Sequence, residues 1–262
     1  MGLWVAVLVV VLGGLGATGY VHYLRERNPS IAGTIEPAYV DPITDLPIMP
    51  DEPPPAIIAV AEPEPALPLP PLDESDAEVV SRLTELFGPE VIQRVLVPES
   101  VVRNIVVTID NLSRETVALR QLPVRPTPGP FLTFGDEDNL VVAPENYARY
   151  SAFVTLVRYA DVRTLAALYR GLRPLLQEAY EDLGYPNRSF HTRLVNVIDH
   201  LLETPTVLDP IRLVQPRVMY QYADPALEAL SPGQKLLIRM GPGNGAIVKA
   251  KLRELRAELL RS

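Results

Sequence analysis

No cysteine occurs in the 262 residues. That removes disulfide staples, thiolate nucleophiles and thiolate metal ligands. It fits either a reducing or an oxidising compartment. Histidine is nearly as scarce, with His22, His191 and His200 making up the set of three. His191 and His200 lie on one expected helix, about 180° apart at roughly 100° per residue, so they do not share an ion. No Gly-x-Ser-x-Gly element is present, nor a twelve-residue calcium-loop pattern. A serine–histidine pair distant in sequence is the nucleophilic arrangement left open. Basic residues are missing from one long stretch: after Arg27 there is no Lys or Arg until Arg82.

What precedes that gap is apolar. Residues 3–23 form an almost unbroken hydrophobic block, and a bilayer core takes about 20 such residues as a helix. Trp4 at one end, with Tyr20 and Tyr23 at the other, suits the two membrane interfaces. Gly13, Gly14, Gly16 and Gly19 are tolerated in a lipid-embedded helix, and the small faces at Gly13, Gly16 and Ala17 would let a second helix approach. Ala17-Thr18-Gly19 has small residues at a spacing a signal peptidase accepts. The block is long for a signal core, however, and no base precedes it. Retention as a single-pass anchor is the expectation. Two orientation signals conflict. Arg25 and Arg27 follow the span and favour a cytoplasmic C-terminal side. The very short N-terminus and the acidic stretch that follows favour export, and a periplasmic domain on a bacterial inner membrane is the reading taken.

Residues 28–72 read as a Pro/acid-rich disordered linker. Twelve prolines fall between Pro37 and Pro71, and residues 28–81 hold eleven acids and no base. Proline removes backbone donors and favours extended geometry, and like charges stretch the segment further. Fully extended, it would reach on the order of 140 Å at about 3.1 Å per residue. Ile57, Ile58, Val60, Pro68, Pro70 and Pro71 offer contact points if it docks in an aromatic groove. The net charge of −8 belongs to this linker, which leaves the remaining residues nearly neutral. That excludes the basic footprint of a nucleic-acid binder.

Residues 73–262 are enough for one core, and their periodicity is mainly helical. Ser75 or Asp76 is expected to cap a helix ended by Gly88-Pro89. Pro89 starts a short second helix, and Pro98 opens a third through Ile105, Ile109 and Leu112. Phe131–Phe134 and Leu140–Val142 flank Gly135–Asn139 and predict a small β-hairpin. Helices resume at Pro144. The clearest runs from Val162 to Leu183, capped by Asp161 and closed by Gly184, with Arg163, Arg170, Arg173 and Pro174 opposite its apolar face. Asn187 is read as the cap of a helix over Phe190–Leu202. Met219–Tyr222 reads as a strand, Asp224 as a cap, and Ser231-Pro232 as a helix start. Gly241-Pro242-Gly243 should break the helical run before a last helix, where Val248, Leu252, Leu255 and Leu259 have a coiled-coil-like spacing that favours packing on the domain itself.

No catalytic constellation emerges. Asp110, Glu181, Asp182, Asp199, Glu203 and Asp224 are scattered, Asp136-Glu137-Asp138 reads as a solvated turn, and the Arg163, Arg170, Arg173 row as a wet helix face. The most informative stretch is Gln234 to Gly245. There Gly243 to Gly245 are expected to precede a helix whose free amides favour an anion, and Lys235 and Arg239 sit one turn apart. The Gly-Lys-Ser/Thr ending of a P-loop is missing, so a helix–break–helix corner is the plainer reading. Lys235, Arg239, Gly243 and Asn244 are the candidate binding residues. No metal or cofactor is expected.

Several stretches carry a resemblance: Thr108–Leu112, Tyr147–Tyr150, Pro174–Tyr180 with Leu183–Pro186, Tyr222–Leu230, and Gln234–Asn244 with Lys249. Over roughly Leu72 to Leu255 the sequence resembles an uncharacterised bacterial family, the domain of unknown function 3014. The resemblance implies an envelope-associated, membrane-anchored bacterial protein and carries over no catalytic residue. The expectation is an anchored binding or scaffold protein: inner membrane through residues 3–23, an envelope protein partner, and no nucleic acid. The rival expectations are an envelope enzyme acting on a polymer or lipid through its carboxylates, and a cytoplasm-facing regulator.

Overall fold

The computed structural model describes residues 69–115, 121–125, 130–136 and 139–261. The anchor over 3–23 and nearly all of the linker lie outside the described residues, as do Pro126, Pro128, Glu137 and Asp138. No described helix is long and apolar enough to cross a membrane.

Among the described residues, Leu69 and Leu72 lie against the main core. Helix α1 (Asp76–Phe87) buries Val79, Leu83 and Phe87 and stops at Gly88, whose φ of +78° few other residues adopt. Pro89 then occupies the first turn of α2 (Pro89–Val95). Neither expected cap serves α1. The Ser75 hydroxyl donates to the Leu72 carbonyl at 2.7 Å. The Asp76 carboxylate instead accepts from the Ser100 and Val101 amides at 2.6 and 2.8 Å, capping α3 (Val101–Asn111) from another helix. The third helix therefore starts at Val101 rather than at Pro98. It is apolar nearly all round, from Val101 to Ile109, because α1, α6 and α7 pack against it. That burial offsets the modest helix preference of its β-branched residues.

Helices α4 (Glu145–Ala148) and α5 (Ser151–Arg158) come next, and α6 (Val162–Asp182) is the longest element among the described residues. Asp161 caps α6 through the Arg163 and Thr164 amides at 3.2 Å. Leu165, Leu172, Leu175, Leu176, Ala179 and Tyr180 point inward, while Arg163, Arg170, Arg173 and Pro174 are exposed. Leu183, expected as the last helical residue, lies one residue beyond the helix end and is exposed. The cap of α7 (Phe190–Leu202) is Ser189, which accepts from the Thr192 amide, and not Asn187. Helices α8 (Pro225–Glu228), α9 (Pro232–Arg239) and α10 (Pro242–Leu259) complete the fold. The coiled-coil-like row of α10 is buried against α5, α6 and α7 of its own domain.

One buried charge ties two helices together. The Asp110 carboxylate, 5% exposed, meets Arg193 of α7 and Arg114 at 2.8 Å each. Arg114 also donates to the hydroxyl of Tyr185, whose ring stacks on Tyr180 with centroids 4.7 Å apart. Between α1, α3, α6, α7 and α10 lies an apolar cavity of about 70 Å³, lined by Val79, Leu83, Ile109 and Leu255 among others.

A second, smaller core sits beside the helices. The expected hairpin is present as β1 (Thr133–Phe134) and β2 (Val141–Val142), paired antiparallel. A second pair, β3 (Leu213–Val214) with β4 (Gln221–Tyr222), joins it through a bridge between Val141 and Arg212. Leu213 donates to the Leu140 carbonyl at 2.7 Å and Val142 to the Ile211 carbonyl at 2.9 Å. Val142, Leu213 and Tyr222 point inward onto Ile238 of α9.

Candidate functional site

Three of the stretches singled out in the sequence meet where α9 turns into α10: Tyr147–Tyr150 at the junction of α4 and α5, Tyr222–Leu230 from β4 through α8, and Gln234–Asn244 itself. The start of α9 is fixed by a capping box. The Ser231 hydroxyl accepts from the Gln234 amide, and the Gln234 side chain accepts from the Ser231 amide. His200 reaches the same serine at 2.8 Å.

The four candidate binding residues do not form one site. Lys235 is 17% exposed and pairs with Glu228 at 2.6 Å, so its charge is already matched. The other Glu228 oxygen accepts from the Tyr222 amide at 2.9 Å. Arg239, one turn further on, makes no ion pair among the described residues. The Tyr222 hydroxyl donates to the Lys235 carbonyl at 3.4 Å, and the Arg239 guanidinium lies near enough to that hydroxyl to act on it electrostatically. Burial pushes the Tyr222 phenol upward and Arg239 partly offsets this; the same opposition acts on the buried Tyr150. Arg239 opens into a cleft of about 20 Å³ walled by Phe131, Leu213, Tyr220, Gln221, Tyr222 and Glu228. Two of its walls, the Phe131 and Tyr220 rings, pack against each other with centroids 5.9 Å apart.

Gly243 and Asn244 do not line this cleft. Nor do they precede a helix, because α10 starts at Pro242 and both residues lie in its first turn. The break is Gly241 alone, at φ +83°. A Cβ there would stand 2.6 Å from the Tyr147 ring. Asn244 donates to the Tyr147 and Met240 carbonyls, both at 3.0 Å, and so clamps α4 onto the corner. Tyr147 in turn donates to Asp209 at 2.6 Å, and burial followed by that carboxylate raises its phenol strongly. A separate hollow of about 40 Å³ behind the corner holds Lys249, which donates to the Thr204 carbonyl at 2.6 Å. Desolvation, with Arg253 nearby, lowers its ammonium below the ordinary range.

The scattered carboxylates are engaged separately. Asp110 has its two arginines, Asp182 meets Arg103, Asp199 meets Arg256, Glu181 accepts from Gln177, and Asp224 caps α8 through the Ala226 amide. Glu203 is exposed. His191 faces the Tyr169 hydroxyl at 3.0 Å. Among the described residues no three acids or histidines converge on a metal position.

Sequence reasoning missed the cleft walls. Phe131, Tyr220 and Tyr222 looked like strand residues, and only the fold brings them to Arg239. It missed the sheet face beside them as well. Cross-strand partners share a face, which puts Phe134, Val141 and Arg212 in one outward row with Val214 and Gln221 beside it. Phe134 is 63% and Val214 43% exposed, with Val218 and Met219 exposed at the adjoining turn. Arg212 and Arg217 are exposed there and make no ion pair among the described residues.

The family model described as "Protein of unknown function (DUF3014)" matches residues 101–256, more than half of the 262 residues. The chain belongs to that family. The match takes in the Arg239 corner and begins at the first residue of α3, after α1 and α2. No curated protein and no solved structure matches this sequence.

Proposed function

We propose that this member of the DUF3014 family is a single-pass inner-membrane protein whose helical domain serves on the periplasmic side as a binding or scaffolding module for an envelope protein. The apolar block over 3–23 and the acidic, proline-rich stretch after it support the anchoring part. The binding part rests on one observation: exposed Phe134, Val214, Val218 and Met219 adjoin two arginines without acid partners among the described residues, next to a cleft holding a third. Such a patch suits a protein surface with acidic groups at its rim and apolar groups at its centre.

A photo-crosslinking amino acid at position 134 tests this in intact cells, with the same group at exposed Arg170 as control. The expected result is one reproducible envelope protein captured from position 134 and not from 170. No adduct specific to position 134 across independent preparations overturns the reading. Arg25 and Arg27 favour the opposite topology, a cytoplasm-facing regulator. Reporter fusions after Ser262 decide: activity of a periplasm-only reporter supports export, and activity of a cytoplasm-only reporter replaces it.

A further inference from the structure

We infer that the group received at Arg239 is a carboxylate monoanion carried on an apolar stem; the inference rests on the reading of this corner as a binding surface and names what enters the cleft.

Size comes first. A volume of about 20 Å³ amounts to one or two water positions. One small planar group fits, and a nucleotide or sugar does not. The stem must therefore leave along the apolar walls, past Leu213 and the packed Phe131–Tyr220 pair. Those walls favour an aliphatic or aromatic stem over a polar one.

Charge narrows the class further. Arg239 is partly buried beside the Tyr222 hydroxyl and makes no ion pair among the described residues, and its guanidinium hydrogens form a planar fork. An in-plane pair of carboxylate oxygens matches that fork. Glu228 lines the same cleft, but its charge is matched by Lys235 at 2.6 Å and its second oxygen is occupied by the Tyr222 amide. The cleft thus carries one uncompensated positive charge. A monoanion cancels it, whereas a phosphate monoester would bring surplus negative charge against Glu228. Asp, Glu, a polypeptide C-terminus and a free organic acid all present the required group.

The test is calorimetric titration of the full-length protein in detergent micelles. The probes are 3-phenylpropionate, its amide, phenyl phosphate, and a short peptide ending in phenylalanine with a free or an amidated C-terminus. Saturable binding of the two free carboxylates is expected, with the amides at least tenfold weaker, as the loss of a charge-assisted bond implies. The tighter of the two tells a small acid from a peptide end, and either order upholds the inference. R239Q and R239K should each weaken the acids about tenfold or more, R239K because it keeps the charge and loses the fork. F131A should weaken them with no change of charge, which guards against a folding defect in the arginine variants. Phenyl phosphate binding more tightly than the acids, an amide binding as well as its acid, R239K binding like the parent, or no binding by any probe would each overturn the inference. A position-134 crosslink that persists in such a case would leave the scaffold reading standing, so the two fail separately.

Discussion

Substituting Gly241 and Gly243 in turn separates two residues that look equivalent in the sequence. At Gly241 the backbone has φ +83° and ψ 160°, a region nearly confined to glycine, where another residue costs roughly 1–3 kcal/mol. The added carbon of Gly241→Ala would also stand 2.6–2.9 Å from three atoms of the Tyr147 ring, and relieving such overpacking costs about 1–3 kcal/mol more. The ring cannot move freely, because its hydroxyl is bonded to Asp209 and its residue's carbonyl to Asn244. A loss of about 3 kcal/mol is expected, or roughly 6–12 °C in melting temperature for a domain of this size. Gly243→Ala meets nothing within 4 Å and lies in the first turn of α10, so it should be neutral or gain up to about 1 kcal/mol. Urea denaturation of the full-length protein, followed by far-ultraviolet circular dichroism, measures both, with equal slopes confirming comparable unfolding. If Gly241→Ala lies within about 1 kcal/mol of the parent, or Gly243→Ala falls as far as Gly241→Ala, the corner is not held as described.

Asp110→Asn should cost about 3 kcal/mol in the same assay, the low end for breaking a buried pair because Arg114 and Arg193 retain some access to water; Asp182→Asn, at an exposed pair, should cost under about 1 kcal/mol. Equal losses for the two would show that Asp110 is not a buried anchor. The cavity under Val79 costs about 1.7 kcal/mol at roughly 24 cal/mol per Å³, so Val79→Ile should stabilise by up to about 1 kcal/mol; a destabilised variant would mean the space cannot take a methyl group. Burial first, and then Arg173, lower His191 below its ordinary 6.5. Its contribution is therefore complete above about pH 6.5 and is lost as the pH falls toward the folded-state value. His191→Gln should flatten the stability profile in that window, and an unchanged acid-side slope would contradict the assignment.

The helical layout was readable because apolar spacing and stop signals agreed: Asp161 with Gly184, Ser231 with Pro232, and the row Val248, Leu252, Leu255, Leu259. The hairpin followed from apolar runs flanking Gly135. Local cues failed where a distant residue won. Asp76 looked like the cap of its own helix and caps α3, because Ser100 and Val101 lie beside it in space. Asn187 looked like the cap of α7, but Ser189, two residues on, has the extended backbone and the side-chain bond of the cap. Gly243 read as part of a break because Gly-Pro-Gly is turn chemistry. Yet proline suits the first turn of a helix, so Gly241 alone ends α9. Of the candidate site, Arg239 was legible and its setting was not. The partner that silences Lys235 comes from α8, and the aromatic walls come from segments near residues 131 and 220, pairings that no local period encodes.

Arg239 as a cation held ready for a carboxylate is the central claim. Nitrogen NMR of arginine side chains in the full-length protein tests it directly, with the Arg239 signal identified as the one missing from R239Q. On titration with 3-phenylpropionate that signal should move downfield and saturate, while the amide leaves it in place. A stationary Arg239 signal at saturating acid, or equal movement with acid and amide, would contradict that role.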